Sequence, residues 1–272
     1  RLNHPNIIKL VGVVEDMKKG IVWLVYPWEA NGNLVNCING HVVRERRRGI
    51  NDVAMGLSYL HGRDPPICHG DLKSLNILVN SGNRAVITDF GSARTALTAE
   101  IAPSGEFITI TGPAWTMRWA APELLEGDLP GLASDIWALG WICWEVVTGK
   151  FPFDKENDVS VVLRITKGDL PAIENDDQLK QIKVLCNLMR ECWKLDTSER
   201  PTALRCQQII SLMVLYFFSG RQPALTNGFR RIRQYRGRWL LATRGFLATG
   251  AQHSPMTQGR HILPPQICSR IL

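Results

Sequence analysis

The sequence predicts an α+β fold that is mainly helical with a few short strands. Three observations carry this. Leu132–Val147 is apolar almost all round and includes Trp137, Trp141 and Trp144, the composition of a helix buried on every side. Four further stretches show helical spacing of apolar residues: Arg44–His61, Asn157–Lys167, Asp177–Trp193 and Thr202–Met213. Two pairs of short β-branched runs are bounded by turn residues: Ile7–Val14 with Ile21–Tyr26, and Ile77–Val79 with Ala85–Thr88.

Each element has a local justification. Asp16–Gly20 reads as a hairpin turn between the first two runs, and Asn31-Gly32-Asn33 breaks the chain before a short helix from Leu34. In Arg44–His61, Ile50, Val53, Ala54, Leu57 and Leu60 form one apolar face. Ser81-Gly82-Asn83 supplies the turn between the second pair of strands. Asp89–Glu123 is rich in Gly, Thr, Ser and Pro and is predicted as a long surface loop, a feature that in compact domains is usually functional.

Charge is unevenly distributed. The 272 residues carry a net +7, yet no Asp or Glu follows Glu199, whereas eleven arginines run from Arg200 to Arg270. Residues 1–199 hold 21 basic and 25 acidic residues, a net of −4. The arginines show neither a helical stripe nor aromatic interleaving, so no nucleic-acid partner is expected. From Ser219 the periodicity dissolves into Gly, Arg, Thr and Pro, as in a disordered tail. The seven cysteines include no C-x-x-C pair and lie mostly in apolar patterns, which favours reduced, buried thiols. The longest apolar run, Ile209–Phe218, falls short of the roughly 20 residues a membrane helix needs. The first residue is Arg1 rather than Met, and the chain is read as a fragment or an incomplete gene product with no leader or anchor.

The chemistry is concentrated in one ordered set. His69-Gly70-Asp71-Leu72-Lys73-Ser74-Leu75-Asn76 is followed thirteen residues later by Asp89-Phe90-Gly91, and then by Ala121-Pro122-Glu123. Phosphoryl transfer needs a carboxylate at the attacking hydroxyl, oxygen ligands for Mg²⁺ and positive charge against the γ-phosphate. This order of H-x-D-L-K-x-x-N, D-F-G and A-P-E resembles the eukaryotic protein kinase family over residues 1–213.

The resemblance implies a protein-kinase-like fold with ATP and Mg²⁺ as cofactors and a protein substrate. Asp71 would be the catalytic base and Lys73 would steady the γ-phosphate; Asn76 and Asp89 would hold Mg²⁺. Leu2–Ile7 resembles the loop after the regulatory helix of the small lobe, and Leu24–Leu34 its last strand and hinge. Tyr26 falls at the gatekeeper position, and Trp28, Glu29 and Leu78 border the nucleotide. His69 and Thr116 would support the catalytic loop and substrate. Asp135 resembles the aspartate that holds the loop backbone, and Arg200 the partner of Glu123. On this reading residues 1–33 are a remnant of the small lobe and hinge, 34–216 the helical lobe, and 217–272 a basic tail.

Lys73 and Thr116 follow the serine/threonine pattern. Glu191-Cys192-Trp193 and Arg200-Pro201-Thr202 resemble tyrosine kinases, and together these imply the tyrosine-kinase-like group of serine/threonine kinases in cytoplasmic signalling. Three departures stand out. Gly70 replaces the usual loop arginine, which would grip a phosphorylated activation-loop residue such as Thr109 or Thr111. Trp115 replaces the usual glycine before Thr116. No G-x-G-x-x-G and no V-A-I-K lysine occur, so activity of this chain alone is expected to be impaired. An inactive kinase-like scaffold is the alternative expectation, and a small-molecule kinase of related fold a weaker one. No oligomeric state follows from these residues.

Overall fold

The structure is a computed structural model that describes residues 2–16, 18, 21–36, 43–95, 116–171 and 183–218. The described residues up to Val214 belong to one compact unit. Besides the helical residues 34–36, six α-helices occur among the described residues: α1 Val43–His61, α2 Pro122–Leu125, α3 Leu132–Thr148, α4 Asp158–Lys167, α5 Lys183–Cys192 and α6 Ala203–Phe218. The strands are β1 Gly12–Asp16, β2 Ile21–Val25, β3 Ile67–Cys68, β4 Ile77–Val79, β5 Ala85–Ile87 and β6 Arg94–Thr95. They form three antiparallel pairs, β1–β2, β3–β6 and β4–β5. The fold is α+β and mainly helical, as the patterning predicts.

One expectation is corrected. Ile7–Val14 is not a single strand: β1 begins only at Gly12 and pairs Asp16 with Ile21. Ile7 and Ile8 are buried against β5 instead, with Ile8 N–H donating to the Ile87 carbonyl at 2.8 Å and Ile87 N–H to the Asn6 carbonyl at 2.9 Å. β-branched residues mark extended backbone without naming its partner, so one run served two sheets. The Asn6 side chain seals the change by donating to the Ala85 carbonyl at 2.8 Å.

Residues 34–36 are helical, as expected from Leu34. Residues 17, 19 and 20 of the first turn, 96–115 of the long loop with Thr109, Thr111 and Trp115, 172–182 before α5, and 219–272 lie outside the described residues.

Helix α3 is the centre of the core. Fourteen of its seventeen residues, from Ser134 to Val147, are buried. Trp141 packs on Trp193 at 4.6 Å between ring centroids and on Phe153 at 4.9 Å. The close seat of Trp193 depends on Gly140, where a Cβ would lie 2.6 Å from the indole Nε1. The predicted face of α1 (Ile50, Val53, Ala54, Leu57, Leu60) is fully buried. A partly buried pair joins that helix to the β4–β5 hairpin: Arg84 donates to both carboxylate oxygens of Asp52, at 2.8 and 2.6 Å, and Ala85 N–H adds a third bond to Asp52 at 3.1 Å. Cys68, Cys143, Cys186, Cys192 and Cys206 are free and buried.

Arg200 ties the chain after α5 to the start of α2. Its guanidinium grips Glu123 in a bidentate pair at 2.6 and 2.7 Å, and donates to the Ala133 carbonyl at 3.0 Å and the Lys194 carbonyl at 2.8 Å. It also stacks 5.1 Å over the Trp137 ring. The Arg200 side chain is 1% exposed and Glu123 14%, so removing either leaves a charge stranded out of water, at about 3–5 kcal/mol. Glu123→Ala and Arg200→Ala are each expected to destabilise by that amount, and the double variant by less than the sum. Urea unfolding of the four proteins measures this; additive losses would show the two side chains to be independent.

Candidate active site

The site is built around residues 69–76, between β3 and β4, and a carboxylate beneath them. Asp135, in the first turn of α3, accepts the His69 N–H at 2.7 Å, the Gly70 N–H at 3.0 Å and His61 Nε2 at 2.9 Å. Burial alone would raise its pKa. The hydrogen bond and charge of His61, with the His69 N–H, outweigh burial and hold the carboxyl below the ordinary aspartate value. Asp135 is therefore a charged, fully bonded post under the loop.

His69 continues the scaffold upward. Its Nδ1 accepts the Asp71 N–H at 3.3 Å, which leaves Nε2–H to donate to the Thr88 carbonyl at 2.9 Å. The ring also packs 5.2 Å from Phe90. Gly70 has φ +79, and a Cβ there would stand 2.5 Å from the Ser92 carbonyl oxygen.

Asp71 is oriented by two neighbours. Lys73 Nζ lies 2.7 Å from its Oδ2, and Asn76 Nδ2 donates to the same oxygen at 3.0 Å and to the Asp71 carbonyl at 2.9 Å. Lys73 and Asn76 are buried, while the Asp71 side chain keeps 20% of its surface. The register of β4 and β5 pairs Ile77 with Ile87, and Thr88 N–H donates to the Asn76 carbonyl at 2.9 Å. Asn76 and Asp89 thus emerge at the same end of this hairpin. Asp89 is exposed and has φ +62, with its Oδ1 accepting the Gly91 N–H at 3.4 Å.

The donor set fits Mg²⁺. Asn76 uses its Nδ2 on Asp71, which leaves Oδ1 as its ligand end, and Asp89 adds a carboxylate. Mg²⁺ takes one or two such protein oxygens and completes its shell with water and phosphate. No group of three or more His, Cys, Asp or Glu forms a metal cluster among the described residues.

The segment read as the hinge ends against β4, through the Asn33–Leu78 bridge and the Val79 N–H bond to the Gly32 carbonyl at 2.9 Å, which sets Leu78 against that segment. Tyr26 is half-buried; burial first, and then the negative charge of Asp89, raise its phenol pKa. Burial also raises the Glu29 carboxyl. Trp28 is 64% exposed. Thr116 opens the short 3₁₀ turn Thr116–Trp119, and its side chain lies outside the described residues.

Two groups here escaped sequence reasoning. His61, the last residue of α1, bonds Asp135. Glu145 sits in the apolar helix and is 2% exposed; it accepts from Ser74 Oγ and from Trp119 Nε1, each at 2.8 Å. An acid within the otherwise apolar run Ile136–Val147 was the available signal.

Residues 1–211 match the protein kinase domain. The chain is 34% identical over 206 residues to a serine/threonine-protein kinase/receptor of Acanthamoeba polyphaga mimivirus, a match spanning 74% of this chain and 12% of that protein. It is 29% identical over 257 residues to the serine/threonine-protein kinase PBL28 of Arabidopsis thaliana, covering 85% of this chain and 66% of the relative. It is also 29% identical over 234 residues to mitogen-activated protein kinase kinase kinase 7 of Bos taurus, covering 82% of this chain and 37% of that protein. The chain thus spans about an eighth of the viral relative's length. With the family matched across more than three quarters of its residues, the chain belongs to the eukaryotic protein kinase domain family.

Proposed function

We propose that this chain carries the catalytic half of a serine/threonine protein kinase of the tyrosine-kinase-like group, acting in cytoplasmic signalling. The observation that carries the reading is the double grip on one oxygen of Asp71, by Lys73 at 2.7 Å and Asn76 at 3.0 Å. It fixes the orientation of a carboxylate that keeps 20% of its surface, which is what a base for a protein hydroxyl requires.

In this reading Asp71 accepts the hydroxyl proton as the oxygen attacks the γ-phosphorus of ATP, and the bond to the departing ADP oxygen breaks. Lys73 faces the negative charge on the transferred group. Asn76 and Asp89 hold Mg²⁺, which when bound neutralises charge on the phosphates. Tyr26, Trp28, Glu29 and Leu78 border the adenine, with hinge recognition through backbone groups. Ser/Thr preference rests on Lys73 and Thr116 and accords with the names of the relatives above. Among the described residues no helix is long and apolar enough to cross a membrane.

The phosphate-covering G-x-G-x-x-G and the V-A-I-K lysine are absent from these 272 residues. Val11, Val13, Val14 and Val22 of the β1–β2 hairpin region are 48–63% exposed, an apolar surface of the kind a partner segment covers. We infer that the chain needs those parts supplied, because positioning is nearly all of this catalysis.

Joined to a kinase small lobe, the protein is expected to phosphorylate peptides, and Asp71→Asn to lower kcat by about 10²–10⁴-fold with ATP binding retained. The chain alone is expected to show little turnover. Robust activity of the chain alone that disappears in Asp71→Asn would refute the need for the small lobe. A joined protein that binds ATP but never turns over would give way to the scaffold reading.

On a peptide array, serine and threonine acceptors are expected to be used well ahead of tyrosine. Tyrosine preference would overturn the roles given to Lys73 and Thr116.

A further inference from the structure

Glu145 joins two segments that the phosphotransfer reading places on opposite sides of the acceptor hydroxyl. It lies on α3, ten residues after Asp135. One carboxyl oxygen is 2.8 Å from Ser74 Oγ, and Ser74 stands between Lys73 and Asn76 in the loop that orients Asp71. The other is 2.8 Å from Trp119 Nε1, at the end of the turn that opens with Thr116 and leads into Ala121-Pro122-Glu123. Ser74 is fully buried and Trp119 is 3% exposed, so the three groups form a dry bridge.

We propose, on that reading, that Glu145 is a positioning residue whose carboxyl group clamps Ser74 of the catalytic loop to Trp119 of the substrate-facing segment, and so sets the separation of Asp71 from the hydroxyl it serves.

The proton on Glu145 is part of the device. Burial dominates and pushes its pKa up to about 8, against the smaller opposite pull of the Trp119 and Ser74 hydrogen bonds. The charges on neighbouring elements are engaged elsewhere: Lys73 with Asp71, Arg118 with the Pro152 and Phe153 carbonyls and Asp158, and His61 with Asp135. Burial raises the pKa of the Cys143 thiol, and a hydrogen bond with Cys206, followed by burial, raises that of Cys192. Trp119 Nε1–H can only donate, whereas a serine hydroxyl can accept, so a neutral acid accepts from Trp119 and donates to Ser74. A carboxylate must take both as acceptor in a dry site.

The sign follows. The folded-state pKa is raised, so the stabilising contribution is complete below about 4.5 and drains away as pH rises to about 8. Within the folded protein the bridge changes character only near the upper value.

The test begins with the full chain, ¹⁵N-labelled in its tryptophans. The Trp119 indole resonance, assigned by its loss in Trp119→Phe, is followed from about pH 6 to about 9.5. It is expected to titrate near 8 and to stop titrating in Glu145→Gln, which keeps both hydrogen bonds but cannot ionise. In the chain joined to a small lobe, Glu145→Ala is expected to cost about 100-fold in kcat/KM for peptide with KM for ATP little changed. Glu145→Gln is expected to recover most of that loss, and to stay level where the unmodified protein declines above about pH 8. An indole that does not titrate, or a Glu145→Gln protein as impaired as Glu145→Ala, would overturn the proposal. A titrating indole in a joined protein that transfers no phosphate supports the clamp and overturns the phosphotransfer reading instead.

Discussion

Every feature of the candidate site hangs from the buried carboxylate of Asp135. Residues 69–76 form a loop with few regular backbone partners, and a buried loop with unpaired N–H groups is costly, at about 1–3 kcal/mol for each group. Asp135 takes the two N–H groups at the head of the loop and receives His61 as a third donor. A carboxylate that accepts several hydrogen bonds remains ionised even when dry, and here the lowered pKa agrees with the geometry. From that fixed point His69 reaches Thr88 and Asp71 reaches Lys73 and Asn76.

Asp135 can act in this way because α3 is packed into the core. The helix is buried from Ser134 to Val147, and its rings pack against Phe153 and Trp193. Arg200 lies over Trp137 and bonds the Ala133 carbonyl in the first turn of the same helix while gripping Glu123. One apolar helix therefore fixes residues 69–76 through Asp135, the start of α2 through Arg200 and Glu123, and the bridge between Ser74 and Trp119 through Glu145. Truncating a tryptophan at its centre would cost about 3–5 kcal/mol and would disturb all three at once.

Much of this was legible in the sequence because it is local. The period of Ile50, Val53, Ala54, Leu57 and Leu60 records which face of α1 is buried, and the all-round apolarity of Leu132–Val147 records that α3 has no wet face. Asp71, Lys73 and Asn76 fall within six residues, so their mutual bonds need only a tight turn. What was not legible depends on distant partners. β3 and β6 are two residues each, too short to show alternation. The split of Ile7–Val14 between β1 and β5 is decided by Asn6 bonding Ala85, 79 residues away. His61 and Glu145 are ordinary residue types whose meaning comes from burial beside Asp135, Ser74 and Trp119.

Gly70 shows how a departure from the family pattern changes the physics as well as the chemistry. Read as a sequence, it is the loss of an arginine that would grip a phosphorylated residue. In the structure it is also a close approach, because the Ser92 carbonyl oxygen occupies space that any Cβ at position 70 would enter to 2.5 Å. The segment after Asp89 is drawn against the loop there, and the ladder of β3 with β6, pairing Cys68 with Arg94 and Ile67 with Thr95, continues the contact. The start of the activation segment is thus held by backbone packing next to a loop already anchored on Asp135. An ion pair to a phosphate would add its grip at a position where steric contact and main-chain hydrogen bonds supply one, so the ordering of residues 92–95 does not need the charge that the missing arginine would have brought.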